Sequence, residues 1–237
     1  MSDQPNPAGG TGRAALPEIL PIFPLTGTLL LPRGRLPLNI FEPRYLAMIR
    51  DSLGGERLIG MVQPNEPQRD NIGQGALNPP VYQVGCAGRI TQFAENDDNR
   101  FLVTLTGVSR FRNAEELPLP QSGYRRVIPD WQPFLADHQP ADTSALDRAR
   151  LIGGLKSYFA QRQLSVDWNA IEKAPSEYLV TSLAMACPFA PSEKQALLEA
   201  ADLDERARLL TTLVEMAAVE PAREENGNGS SGGGTRH

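Results

Sequence analysis

The chain is short of most residue types from which catalytic and metal centres are built. Its 237 residues include two histidines, His138 in a proline-rich stretch and His237 at the last position, and two cysteines, Cys86 and Cys187. So few and so separated, they form neither a metal-ligand cluster nor a disulfide framework. Lysines number three, Lys156, Lys173 and Lys194, and none follows a glycine. No Gly-x-x-x-x-Gly-Lys-Ser/Thr loop therefore exists to cradle nucleotide phosphates. Long apolar runs are also missing: the stretch from Leu16 to Leu31 is broken by Pro, Gly and Thr, well short of the ~20 residues a membrane helix needs. Asp3 and the lack of a basic n-region argue against an export signal. Together these absences predict a cytoplasmic protein with reduced thiols, no cofactor and no membrane partner.

Hydrophobic residues make up 41% and charged residues 22% of the chain, the balance of an ordinary globular protein of one large or two small domains. A net charge of −5 and a pI near 5.2 disfavour a generic phosphate-binding surface, and nucleic acid with it. Twenty arginines still leave room for a local basic groove, because each guanidinium can grip a carboxylate or phosphate with two hydrogen bonds.

Residues 1–16 and 221–237 are dominated by Pro, Gly, Asn and Ser and cannot bury enough apolar surface to offset the cost of ordering, so both are predicted to be disordered. Between them the periodicity changes once. From 17 to 131 it is that of strands: Leu58–Val62 is a short apolar run, and 81–93 and 101–111 flank the turn-forming Asn96–Asn99 as a hairpin. Tyr124–Trp131 offers a further strand. Gly85 and Gly88 predict a bulge or tight bend. Residues 64–80, rich in Pro, Gly and Asn, form a loop longer than ~15 residues, the length of a binding element or a mobile excursion. Residues 132–143 read as a linker, and 144–220 as helices.

The segment from Leu20 to Ile49 is extended and apolar, punctuated by Pro21, Pro24, Pro32 and Pro37. Proline fixes φ and removes a donor, which predicts short edge strands and turns up to Pro43. Pro43 itself suits the first position of a helix that Gly54 stops. Downstream, Ser144 with Asp147, Ser192 with Gln195 and Asp202 with Glu205 resemble capping boxes. Apolar stripes at Leu151, Leu155 and Tyr158-Phe159, at Leu179, Leu183 and Ala186-Cys187, and at Leu203, Ala207, Leu210 and Val214 follow them.

Three blocks, Leu20–Ile49 with Ile40-Phe41-Glu42-Pro43-Arg44-Tyr45 at its centre, Val84–Ile90 with Phe101–Phe111, and Leu183–Glu199, resemble in order and spacing the N-terminal substrate-binding domain of Lon proteases. The resemblance spans about residues 17–219. It implies an α+β fold, a PUA-like β pseudo-barrel followed by an α-helical bundle. It also implies a non-catalytic module that recognises unfolded or partly folded polypeptides, an adaptor or holdase in protein quality control, with a protease or chaperone component as a further partner. The other reading is nucleic-acid or small-ligand binding through the barrel.

On this resemblance, Phe41, Glu42, Arg44, Tyr45, Met48, Arg89 and Arg110 are the candidate polypeptide-binding residues. A structural reading stands beside the functional one: Glu42 at the positive end of a helix, Arg44 paired to it, and Phe41 and Tyr45 packed in the core. Arg89 and Arg110 are likewise open to ion pairing or binding. Ser192 and Lys194 are better placed for a helix first turn than for a catalytic dyad, so no catalytic residue is assigned.

Overall fold

The computed structural model describes residues 16–65, 79–96, 98–143, 146–162 and 165–219. The termini expected to be disordered and most of the 64–80 loop lie outside them. Strands come first: β1 Leu20–Pro24, β2 Arg35–Ile40, then helix α1 Pro43–Leu53, β3 Leu58–Val62, β4 Val84–Glu95, β5 Phe101–Leu117 and β6 Arg125–Asp130. They form one mixed sheet in the order β2-β5-β4-β3-β1-β6. The long β5 gives Phe101–Thr106 to β2 and Arg112–Leu117 to β6, so that β5, β4, β3, β1 and β6 close into a ring. Register shifts at Ala87/Gly88 and Ile90/Gln92 supply the bend; the first falls where Gly88 predicts it.

Every strand of the ring sends apolar side chains inward. Leu20 and Ile22, Leu58 and Val62, Ala87, Phe111 and Val127 form one buried cluster, with Trp131 edge-on to Phe111. Phe111 fits because Gly60 and Gly85 lack side chains: a Cβ at either would lie 2.7 Å from its ring.

The prolines behave differently from the expectation of edge strands. β1 is interior, parallel to β3 and antiparallel to β6. Its pairing with β6 covers Leu20–Ile22 and its pairing with β3 covers Ile22–Pro24, so Pro21 and Pro24 each face a single partner and the missing N–H groups interrupt neither ladder. β2, carrying Pro37, is the one element of this block that lies at an edge.

After a 3-10 turn, Gln132–His138, come α2 Arg148–Gln161, α3 Trp168–Lys173, α4 Ser176–Ala186, α5 Pro191–Glu199 and α6 Leu203–Val219. The caps differ in part from the sequence reading. Ser144 lies outside the described residues, and Asp147 caps α2, accepting from Arg150 N at 3.0 Å. At α5 the cap position is Ala190, and Glu193 reaches back to its N–H at 2.7 Å while Ser192 is exposed in the first turn. Asp202 caps α6 as expected, accepting from Glu205 N at 2.8 Å. The α6 stripe is buried as its spacing predicts, and so is that of α2 except for the half-buried Phe159, whereas α4 buries Leu179, Val180 and Ala184, half-buries Leu183 and leaves Ala186 outside. Leu31, Met48, Leu105, Leu155, Leu197 and Leu210 belong to one continuous core, so the sheet and the helices share an interior.

Candidate functional site

Extended backbone at Glu42 gives way to helix at Pro43, and the Glu42 carbonyl accepts from Tyr45 N and Leu46 N, both at 2.9 Å. This one turn separates the neighbouring candidates into different environments. Tyr45 and Met48 face the core; the Tyr45 ring packs at 4.2 Å on Phe23, and its hydroxyl pKa is raised, chiefly by burial. Arg44 lies half-buried over the Tyr45 ring and donates to the Glu42 carboxylate from Nε at 3.1 Å and Nη2 at 3.0 Å. Phe41, placed in the core by the structural reading, is instead 61% exposed, with the Arg100 guanidinium over its ring.

Arg89 and Arg110 lie elsewhere. Arg89, half-buried on β4, donates to the Glu56 carbonyl at 3.0 Å. Arg110 is interior: its guanidinium bonds the Asp137 carboxylate and the carbonyls of Leu198, Ala200 and Ala201 at the end of α5. It ties the ring to the helices through the stretch read as a linker. Tyr45, Met48 and Arg110 are therefore buried.

Lys194, Cys86 and Cys187 all lie in the interior. The Lys194 ammonium is buried and donates to the Gly27 carbonyl at 2.8 Å, and burial lowers its pKa. Both thiols are buried and free, and burial pushes them up, Cys187 to about 11. Among the described residues, no group of three or more His, Cys, Asp or Glu could hold a metal ion, and no helix is long and apolar enough to cross a membrane.

Among the described residues, no strand pairs with the outer edge of β2. A groove of about 550 Å³ separates the start of β2 from α4, with Leu36, Pro37, Tyr178, Thr181 and Met185 on its walls. A shallower one of about 470 Å³ lies further along, bordered by Leu38, Phe93, Ala94 and Leu102. Pro37 lines both. Of the Leu29–Met48 block, Leu29, Leu30, Leu31, Ile40 and Met48 went into the core, and Pro37 and the half-buried Leu36 and Leu38 border the grooves. Tyr178 and Met185 were not among the sequence candidates. The one local signal was Tyr178, a large aromatic beside the Leu179–Val180 stripe.

Residues 19–216 match the family described as the ATP-dependent protease La (LON) substrate-binding domain. The chain belongs to that family. Among its relatives are Lon protease 2 of Sorangium cellulosum, 25% identical over 212 residues, and Lon protease 2 of Myxococcus xanthus, 24% identical over 217; each match covers 88% of this chain. It covers 26% and 25% of those proteases, so the Lon-type chain spans about a quarter of their length. Two solved structures share the fold: a Lon N-terminal domain protein from Xanthomonas campestris, with a TM-score of 0.55 at 22% identity, and the N-terminal domain of a Mycobacterium avium complex Lon protease, 0.54 at 17%. These cover 82% and 83% of this chain and 97% of each of theirs. The α+β class read from the sequence is the class these Lon N-terminal domains share.

Proposed function

We propose that this chain is a non-catalytic module that recognises unfolded or partly folded polypeptide, acting as an adaptor or holdase in cytoplasmic protein quality control beside a protease or chaperone component. The observation that carries this is the match to the substrate-binding family over residues 19–216, a match confined to about a quarter of each full Lon protease. The closed strand circuit supports a PUA-like pseudo-barrel at 17–131, and the run of helices a bundle at 144–220. The uncovered apolar border of β2 supplies what such a module needs, an adaptable surface with a charged rim. Within the candidate set, Phe41, Glu42, Arg44 and Arg89 reach that module's surface, and Tyr45, Met48 and Arg110 support it from inside.

Fluorescence anisotropy with a labelled, permanently unfolded protein tests the reading. Saturable binding at roughly micromolar concentration, the strength of a shallow surface without deep anchors, is the expected result. Absence of polypeptide binding together with tight, steeply salt-dependent binding of single-stranded RNA would transfer the function to nucleic acid.

A further inference from the structure

Among the described residues β2 ends the sheet, and no strand pairs with its outer side. Gly107 N–H donates to the Gly34 carbonyl at 2.8 Å, immediately before the pairs Arg35↔Thr106 to Ile40↔Phe101. Antiparallel pairing alternates, so Leu36, Leu38 and Ile40 turn their backbone groups toward β5, and Arg35, Pro37 and Asn39 turn theirs outward. Pro37 thus occupies the one kind of position where its missing N–H costs no ladder bond, and it interrupts the outer edge. A second copy of the chain finds no continuous template there. A polypeptide held by its side chains meets no such obstacle.

The two grooves supply places for those side chains, one on each side of Pro37. The first runs between Leu36 and the Tyr178–Met185 face of α4, where Tyr178 is 65% exposed. The second lies against Leu38, Phe93 and Leu102, the last 49% exposed. From Arg35 to Asn39 the strand advances four steps, about 14 Å at ~3.4 Å per residue. Charge decides the remaining feature. Of the three ionic residues lining the first groove, Arg33 and Glu177 are paired with each other, while Arg35 has no ion pair among the described residues, leaving one positive charge there on a chain of net charge −5.

We infer that the border of β2 is a docking track for an extended polypeptide segment with two large apolar side chains four residues apart and a carboxylate at the Arg35 end. This rests on the polypeptide-recognition reading and gives it a place and a sequence preference. The apolar side chains seat in the two grooves by excluding water, and the carboxylate meets Arg35 in a partly screened pair. Alternation in an extended chain turns positions i and i+4 to the same side, as simultaneous seating requires.

Labelled twelve-residue Gly/Ser peptides are the probes: one with Leu at positions 4 and 8 and Glu beside one Leu, one with the same residues but Leu at positions 4 and 5, and one with Lys for Glu. The spaced acidic peptide is expected to bind about tenfold more tightly than the adjacent-Leu peptide. Leu102→Asp and Tyr178→Glu, both exposed substitutions whose folding is checked by thermal melting, are expected to weaken it about tenfold. Arg35→Glu is expected to reverse the preference between the Glu and Lys peptides, a readout that loss of folding cannot imitate. Equal binding of spaced and adjacent peptides, or binding indifferent to all three variants, would overturn the track and leave polypeptide recognition standing elsewhere on the surface. If neither these peptides nor a labelled unfolded protein binds at all, the functional reading itself falls and the track with it.

Discussion

Arg110 and Asp137 form a two-pronged ion pair, Nη2 to Oδ1 at 2.8 Å and Nε to Oδ2 at 3.0 Å, with side chains only 4% and 8% exposed. The same guanidinium stacks on Phe134 and holds three carbonyls at the end of α5. One strand, one connecting turn and one helix end meet on a single side chain.

Arg110→Ala strands the Asp137 carboxylate and those carbonyls in the interior, so unfolding stability is expected to fall by about 3–5 kcal/mol. Arg110→Lys should recover only a small part, because an ammonium cannot reproduce the planar fork. Denaturant melts check both. A loss below about 1 kcal/mol would mean that water replaces the contacts.

The tight seat of Phe111 makes Gly60 and Gly85 intolerant. Gly60→Ala places a methyl 2.7 Å from the Phe111 ring and 2.9 Å from Leu20, and is expected to cost about 1–3 kcal/mol through overpacking. Adding Phe111→Leu to Gly60→Ala should cost less than the sum of the two single changes, a coupling that a double-mutant cycle measures directly.

Helix α5 is capped by Glu193 and not by Ser192. Glu193→Ala should therefore lower stability by about 1 kcal/mol, while Ser192→Ala should change it by less than about 0.5 kcal/mol. Thermal melts of the two variants separate the assignments.

Alkaline pH tests the buried thiols. Burial raises the Cys187 pKa from 9.0 to about 11, so the fold favours the neutral form. An acid whose folded pKa lies above its unfolded value contributes its full stability below the unfolded pKa and loses it as pH rises toward the folded one. Wild type should lose stability between pH 9 and 11, and Cys187→Ala should lose about 2 kcal/mol less over that window. Denaturant melts at its two ends give the comparison.

Local signals in the sequence were enough for β3, whose bounds coincide with the apolar run Leu58–Val62, and for α6, whose stripe is buried throughout. The interior place of β1 was not legible, because Pro21 and Pro24 are tolerated only through the staggered pairing of β1 with β3 and β6, which no local pattern records. The same limit applies to the candidate site. Phe41 and Tyr45 are both aromatics near a helix start, and only the direction of the chain at Pro43 puts one outside and the other in the core. Arg110 finds Asp137 27 positions away in a stretch that composition marked as a linker. The groove at β2 needs α4, about 140 residues downstream, so neither wall shows its role alone.

Hydrogen–deuterium exchange of the protein with and without a saturating unfolded polypeptide tests polypeptide recognition at β2 most directly. Slowed exchange is expected at the outward amides of Arg35 and Asn39 and along Tyr178–Ala186, with the ring strands β1, β3 and β6 unchanged. Saturable binding that protects neither β2 nor α4, or no binding at all, would contradict it.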